Sequence, residues 1–259
     1  MKPVSIGIAG IGNVGEEVVF QLLKSEHLNK KFILGGVSYK SKTKKRSSFL
    51  KNIKFFNNPL KLVKDINIDL IIELIGGDSG IAKELAFSSI TYGKPFITAN
   101  KALIAKHGIE LSNFSKKNNT FIGFEAAIAG GIPIVKVIKE SLVSNKIEQI
   151  TGILNGTSNY LLDEIEKKSL NFETVLKKAQ ELGYAEKDPT FDIEGVDAAH
   201  KISILSALVF NKMPDTDFMH VKGVSKITLD DILFAKKFGY KIKLLAISNH
   251  KNNFECSEE

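Results

Sequence analysis

The sequence predicts an α/β fold in its first half and an α+β fold in its second. Three observations carry that expectation. Strand-like and helix-like stretches alternate through the first half, the pattern of parallel βαβ units. Gly10, Gly12 and Gly15 form GxGxxG directly between the first strand and the first helix, the context that points this pattern to a Rossmann-type, nucleotide-binding parallel sheet. Past Pro133 the pattern changes to that of an α+β substrate domain. The glycine-rich AAIAGGIP marks the boundary, giving expected domains at 1–130 and 131–259.

Each element follows from local pattern. Pro3 to Ala9 is a short apolar run that ends in glycines, the first strand. Val14, Val18, Val19, Leu22 and Leu23 recur at helical spacing and give a helix starting near Asn13. Further strands are expected at Phe32 to Ser38, Asp69 to Ile75, Pro95 to Ala99 and Thr120 to Glu125, with helical stretches between them. In the second half, Lys146 to Leu154 is strand-like and Thr157 to Lys168 helical. Phe172, Val175, Leu176, Ala179 and Leu182 form one face of a helix that Gly183 terminates. A loop with Asp188 and Pro189 precedes a helix from about Ile193 to Phe210. A strand at Val221 to Ile227, a helix at Leu229 to Phe238, a strand at Tyr240 to Ser248, a turn at Asn252 and Asn253 and a strand opening at Phe254 complete the order.

Composition narrows the class. With 43% apolar residues in 259, the chain has enough apolar surface for a substantial core. No uncharged apolar run approaches the ~18 residues needed to span a bilayer, and no cleavage pattern follows Pro3 to Gly15, so a cytoplasmic protein without membrane contact is expected. The single cysteine, Cys256, excludes internal disulfides and cysteine zinc clusters, and five isolated histidines argue against a transition-metal site. The net charge is +7, yet eleven cations lie between His27 and Lys64, a stretch with no Asp or Glu. A local cluster that exceeds the whole net charge fits a small anionic ligand at least as well as a polyanion, and no nucleic-acid partner is expected.

Each glycine of the motif has its own task. Gly10 permits the tight turn, Gly12 lets a pyrophosphate approach the backbone, and Gly15 lets the helix sit close to the strand, with N–H groups at Asn13 and Val14 directed at the anion. An acidic residue at the end of the second strand would select NAD, and none is present. Ser38 and Tyr39 are followed by Lys40, Lys42, Lys44, Lys45 and Arg46, charges suited to the 2′-phosphate of NADP, which is favoured over NAD. Lys101 sits at the carboxyl end of the fourth strand, within reach of cofactor or substrate.

The densest chemistry lies in Gly183 to Lys201, where five carboxylates precede a closing lysine. Asp197 and Lys201 stand at i and i+4, acid first, on one helical face. The following ISILSALVF is apolar on every side, so the helix is expected to be buried and the pair to face a cavity, the alternative being an ordinary surface salt bridge. Glu186, Asp188 and Asp192 could bind a substrate ammonium group, or serve as loop polar groups and caps. A nicotinamide held against a carbonyl, with Lys201 donating a proton to the oxygen, describes hydride transfer.

The residues resemble the homoserine dehydrogenase family nearly end to end: GIAGIGNVG, IELIGG, TANKALIAKHG, FEAAIAGGIPIV, GILNGTSNYLL and GYAEKDPTFDIEGVDAAHKISIL. The resemblance implies interconversion of L-aspartate 4-semialdehyde and L-homoserine with NAD(P)H, in the shared pathway to threonine, methionine and isoleucine. It implies Lys201 as acid/base, Glu186, Asp192 and Asp197 as substrate-binding acids, and Lys101 between cofactor and substrate. It also implies a monovalent metal ion, usually sodium, held by the Glu125 side chain and the backbone carbonyls of Ile128, Gly130 and Ile132. A homodimer or higher homo-oligomer, with dimerisation through the substrate domain, is expected from the same source if that domain is complete. Family members continue beyond Glu259, so the chain is expected to be a truncated catalytic region with an incomplete second domain. Feedback inhibition through the regulatory amino-acid-binding domain of longer members is not expected of this region. The alternatives are a nucleotide-binding remnant without turnover, and aspartate semialdehyde dehydrogenase, whose cysteine nucleophile Cys256 serves poorly.

Overall fold

A computed structural model describes residues 2–40, 46–210 and 219–249, and the backbone of 254–258. The chain forms two compact units, Met1–Ile134 and Val135–Glu259. The first runs β1 (Val4–Ala9), α1 (Asn13–Lys24), α2 (Glu26–Asn29), β2 (Phe32–Ser38), β3 (Phe55–Phe56), α3 (Leu60–Lys64), β4 (Leu70–Glu73), α4 (Ile81–Thr91), β5 (Phe96–Thr98), α5 (Lys101–Lys117) and β6 (Ile122–Gly123). Its sheet is parallel throughout, in the order β3-β2-β1-β4-β5-β6. Strand order reverses across the β1/β4 pair, so a crevice opens beyond the carboxyl ends of those two strands.

Side-chain alternation explains why both faces are covered. Ile6 and Ile8 of β1 join Ile11, Val19 and Val37 in one apolar cluster, while Ala9 joins Leu62, Ile71, Leu85 and Phe96 in another. Neighbouring residues of one strand thus feed two cores, as a sheet covered on both sides requires. The strand expected at Asp69 to Ile75 is shorter: Leu74 N–H makes the last bond to β1, at the Ala9 carbonyl, and the Ile75 and Gly76 N–H groups turn back to the Glu73 carboxylate. The one expected at Thr120 to Glu125 contracts to Ile122–Gly123 and is followed by a 3-10 turn at Glu125–Ala127. β3 is too short to leave a periodic signal.

The second unit runs α6 (Ile134–Lys136), which passes into a π turn at Val137–Ser141, then β7 (Gln149–Gly152), α7 (Gly156–Lys168), α8 (Phe172–Glu181), α9 (Thr190–Ile193), α10 (Val196–Phe210), β8 (His220–Val221), α11 (Leu229–Lys237), β9 (Leu244–Asn249) and β10 (Phe254–Glu258). The sheet order is β7-β9-β10-β8. β9 is antiparallel to β7 and β10, and β10 is parallel to β8. Leu161, Leu162, Val175, Ala198, Ile202 and Leu244 belong to its core.

Three expectations are corrected. The single helix from Ile193 is broken, because Gly195 adopts φ +80° and separates α9 from α10. The strand at Val221 to Ile227 is confined to His220–Val221, since Val224 N–H donates to the Ile193 carbonyl at 2.7 Å and not to a ladder. β9 starts at Leu244 instead of Tyr240, whose N–H still caps α11 through the Ala235 carbonyl. The turn at Asn252 and Asn253 lies outside the described residues. Among the described residues, no helix is long and apolar enough to cross a membrane.

Candidate active site

In the first unit, steric limits shape the loop after β1. Gly10 has φ +100°, and a Cβ there would lie 2.4 Å from the Leu74 carbonyl carbon and oxygen. A Cβ at Gly15 would lie 2.1 Å from the Gly10 oxygen, so α1 can approach β1 only with glycine at this position. At Gly12 a Cβ would meet no heavy atom within 4 Å among the described residues. Gly12, Asn13 and Val14 are exposed at the start of α1, where backbone N–H groups lack intrahelical partners.

The loop after β4 is held from inside the sheet. Glu73 is fully buried; its Oε1 accepts from the Ile75 and Gly76 N–H groups at 2.6 and 3.0 Å, and its Oε2 from the Thr98 hydroxyl at 2.6 Å. Thr98 Oγ1 in turn accepts from Asn100 N–H at 2.9 Å, while Asn100 Nδ2 donates to the Gly77 carbonyl at 2.6 Å. Asn100 also caps α5 by accepting from Leu103 N–H at 3.1 Å. The ends of β4 and β5 are therefore joined by one polar network, and Lys101 is the first residue of the helix it caps.

Beyond β2, Lys40 is exposed. Lys42, Lys44 and Lys45 lie outside the described residues. Arg46 stacks on Tyr39, its guanidinium carbon 3.8 Å from the ring centroid, and donates to the Ile11 carbonyl of the glycine loop. Its guanidinium is also 3.7 Å from Glu16 in the first turn of α1. Of the residues expected to hold a metal ion, Glu125 opens the 3-10 turn, Ile128 is buried, Gly130 has φ +59° and Ile132 is exposed. Among the described residues, no group of three or more His, Cys, Asp and Glu is placed to hold a metal.

In the second unit, side-chain hydrogen bonds do the shaping. Asp197 and Lys201 pair at 2.6 Å on α10, with side chains 3% and 19% exposed. Lys201 Nζ also donates to the Leu154 carbonyl at 2.8 Å. Asn155, the next residue, donates through Nδ2 to Asp192 Oδ1 at 2.8 Å and to Asp197 Oδ2 at 3.0 Å. Thr157 donates to Asp192 Oδ2 at 2.9 Å, and Ser158 Oγ to the Asp192 carbonyl at 2.8 Å. The short loop between β7 and α7 is thus the hub on which α9 and α10 present their acids.

The structure brings Asp192, Asp197 and Lys201 together and leaves the Glu186 carboxyl exposed outside that network; its backbone carbonyl accepts from Gln180. Asp188 is exposed beside the start of α9, where the Thr190 hydroxyl and N–H hold its carboxyl below the usual carboxylate range. Sequence reasoning missed Asn155, Glu73 and Asn100. The available signal for Asn155 was its place before Gly-Thr-Ser at a helix start, a cap pattern that carries no hint of distant carboxylates.

Residues 10–125 match the family model described as "Homoserine dehydrogenase, NAD binding domain", and residues 133–257 match the model "Homoserine dehydrogenase". The homoserine dehydrogenase of Neisseria gonorrhoeae is 44% identical over 96% of this chain and 58% of its own length. That of Helicobacter pylori is 42% identical, over 99% and 60%. The crystal structure of a homoserine dehydrogenase from Thiobacillus denitrificans superposes with a TM-score of 0.91 at 40% identity, covering 100% of this chain and 61% of that one. The chain therefore spans about 60% of the length of the relatives it matches.

Proposed function

The chain belongs to the homoserine dehydrogenase family, and we propose that it carries that family's reaction, the reversible NAD(P)H-dependent reduction of L-aspartate 4-semialdehyde to L-homoserine. The observation that carries this reading is the Asp197–Lys201 pair at 2.6 Å, both side chains withdrawn from water. Carbonyl reduction adds a hydride to carbon and a proton to oxygen. When bound, the nicotinamide cofactor supplies the hydride. Lys201 supplies the proton: an ammonium has three N–H donors, two are directed at Asp197 and the Leu154 carbonyl, and the third serves the substrate oxygen. In the oxidative direction the same nitrogen takes the hydroxyl proton.

The other roles follow from charge and place. Asp197 orients Lys201, and Asp192 and Glu186 bind the substrate ammonium. Lys101, at the end of β5, steadies the reacting groups from the cofactor side. Gly10, Gly12, Asn13, Val14 and Gly15 receive the pyrophosphate, a fit supported by the open space over Gly12. Lys40 favours the 2′-phosphate of NADP over NAD. Residues 1–130 form the cofactor domain in this reading, and 131–259 the substrate domain. A sodium ion suits the Glu125 carboxylate with the carbonyls of Ile128, Gly130 and Ile132, all hard oxygen donors. The Ile132 carbonyl already accepts from Ile134 N–H at 2.8 Å and keeps a second lone pair for the ion.

The test is oxidation of homoserine by the purified chain with NADP and with NAD, followed through the absorbance of the reduced nicotinamide. Turnover with NADP exceeding that with NAD is expected. A folded, NADP-binding chain that oxidises no homoserine, even when extended to the length of its relatives, overturns the proposal.

A further inference from the structure

Asn155 is the point where three parts of the second unit meet. It is 4% exposed and spends each side-chain group on a different element. Its oxygen accepts from Ser158 N–H at 2.8 Å and caps α7. Its amide nitrogen donates to Asp192 on α9 and to Asp197 on α10. Those carboxylates belong to elements separated by the Gly195 break, so no single helix fixes their spacing. Two like charges sharing one small volume repel, and a donor placed between them offsets that repulsion. Asp197 in turn holds Lys201, and Lys201 is held from its other side by the carbonyl of Leu154, one residue before Asn155.

We infer that Asn155 is a positioning residue for the proposed reaction, a two-pronged amide clamp that sets the distance between the substrate-binding Asp192 and the Asp197–Lys201 proton donor. The inference rests on the homoserine dehydrogenase reading above. Thr157 and Ser158 support Asp192 alone, at its Oδ2 and its carbonyl, whereas Asn155 reaches both carboxylates. Capping and clamping are separable, because the cap uses the oxygen of Asn155 and the clamp uses its nitrogen.

Asn155→Asp separates them. Aspartate caps a helix as well as asparagine, so α7 keeps its start, but the bridging donor becomes an acceptor. Asn155→Ser also keeps a cap, without adding charge. For both variants NADP affinity is expected near that of the unaltered chain; the melting temperature should fall modestly for Asn155→Ser, which removes the two donated bonds, and further for Asn155→Asp, which places a third carboxylate beside Asp192 and Asp197. Homoserine turnover should fall about 100-fold, the scale of a reacting group displaced by about 1 Å, while KM for homoserine rises only a few-fold because Thr157 still holds Asp192. An active chain whose Asn155→Asp variant keeps its turnover overturns the inference and leaves Asn155 as a cap only. If both variants lose NADP binding and folded structure together, the role is structural and the inference also fails. An unaltered chain without homoserine oxidation overturns the proposed function, and the inference with it.

Discussion

In the first unit the loop after β1 is defined by atoms it lacks, and in the second the loop after β7 is defined by hydrogens it donates. A Cβ at Gly10 or Gly15 would come within 2.4 or 2.1 Å of backbone, so the first loop is a matter of shape. Around Asn155 the spacing is set by amide, hydroxyl and ammonium donors facing two carboxylates. The difference separates two modes of failure. Added volume breaks the first region and a lost donor breaks the second, and each should tolerate the injury that is fatal to the other.

The largest effect belongs to the second region. Lys201→Ala should lower homoserine turnover by about 1,000-fold or more, within the range for removing a general acid, with the NADP dissociation constant unchanged. Equal loss of both would contradict the division between the units. Next comes a paired test of shape. Gly10→Ala should destabilise the first unit by about 3 kcal/mol, through both strain and contact, and lower the melting temperature by roughly 6–12 °C. Gly12→Ala should leave the melting temperature alone and weaken NADP binding about tenfold, about 1.4 kcal/mol, since its Cβ meets no protein atom but occupies the space given to the pyrophosphate. Similar melting curves for the two variants would remove the steric account.

Glu73 brings the donor-counting mode into the first unit. Glu73→Ala leaves Ile75 N–H, Gly76 N–H and the Thr98 hydroxyl without their acceptor, at a cost of about 2 kcal/mol in thermal or urea unfolding. Glu73→Gln should recover most of this, because the amide oxygen can accept both backbone bonds and its nitrogen can donate to Thr98. The smallest effect is an acid response. The Lys54 ammonium, assisted by Asn67, holds the Asp65 carboxyl below the usual carboxylate range. A depressed folded-state value stabilises the fold above the unfolded value, about 3.9, and that contribution is lost as pH falls through the folded one. Asp65→Asn should therefore melt slightly lower than the unaltered chain at neutral pH and low salt, with the gap closing below about pH 4. A gap that persists in acid would assign the effect to something other than charge.

What could be read from the sequence was what is local. β1, α1 and the Asp197–Lys201 pair depend on neighbours within a turn or a strand, and periodicity alone locates them. Glu73 and Asn155 look ordinary in sequence because their partners are remote, Thr98 for the one and Asp192 and Asp197 for the other. Gly195 lies inside the helix expected from about Ile193, and its positive φ, which divides that helix into α9 and α10, leaves no periodic signal in the sequence. The strand expected after Val221 failed for a related reason, since Val224 pairs with the Ile193 carbonyl of the α9 turn.

The seat of β10 has a bearing on how the second unit comes to be made. β10 lies between β9 and β8, antiparallel to one and parallel to the other. During synthesis β8 leaves the ribosome well before the strand that will flank it, and β9 before the neighbour on its open side. Among the described strands, therefore, β8 gains its neighbour only when the later β10 slots in between it and β9, a pairing made after both flanking strands are in place.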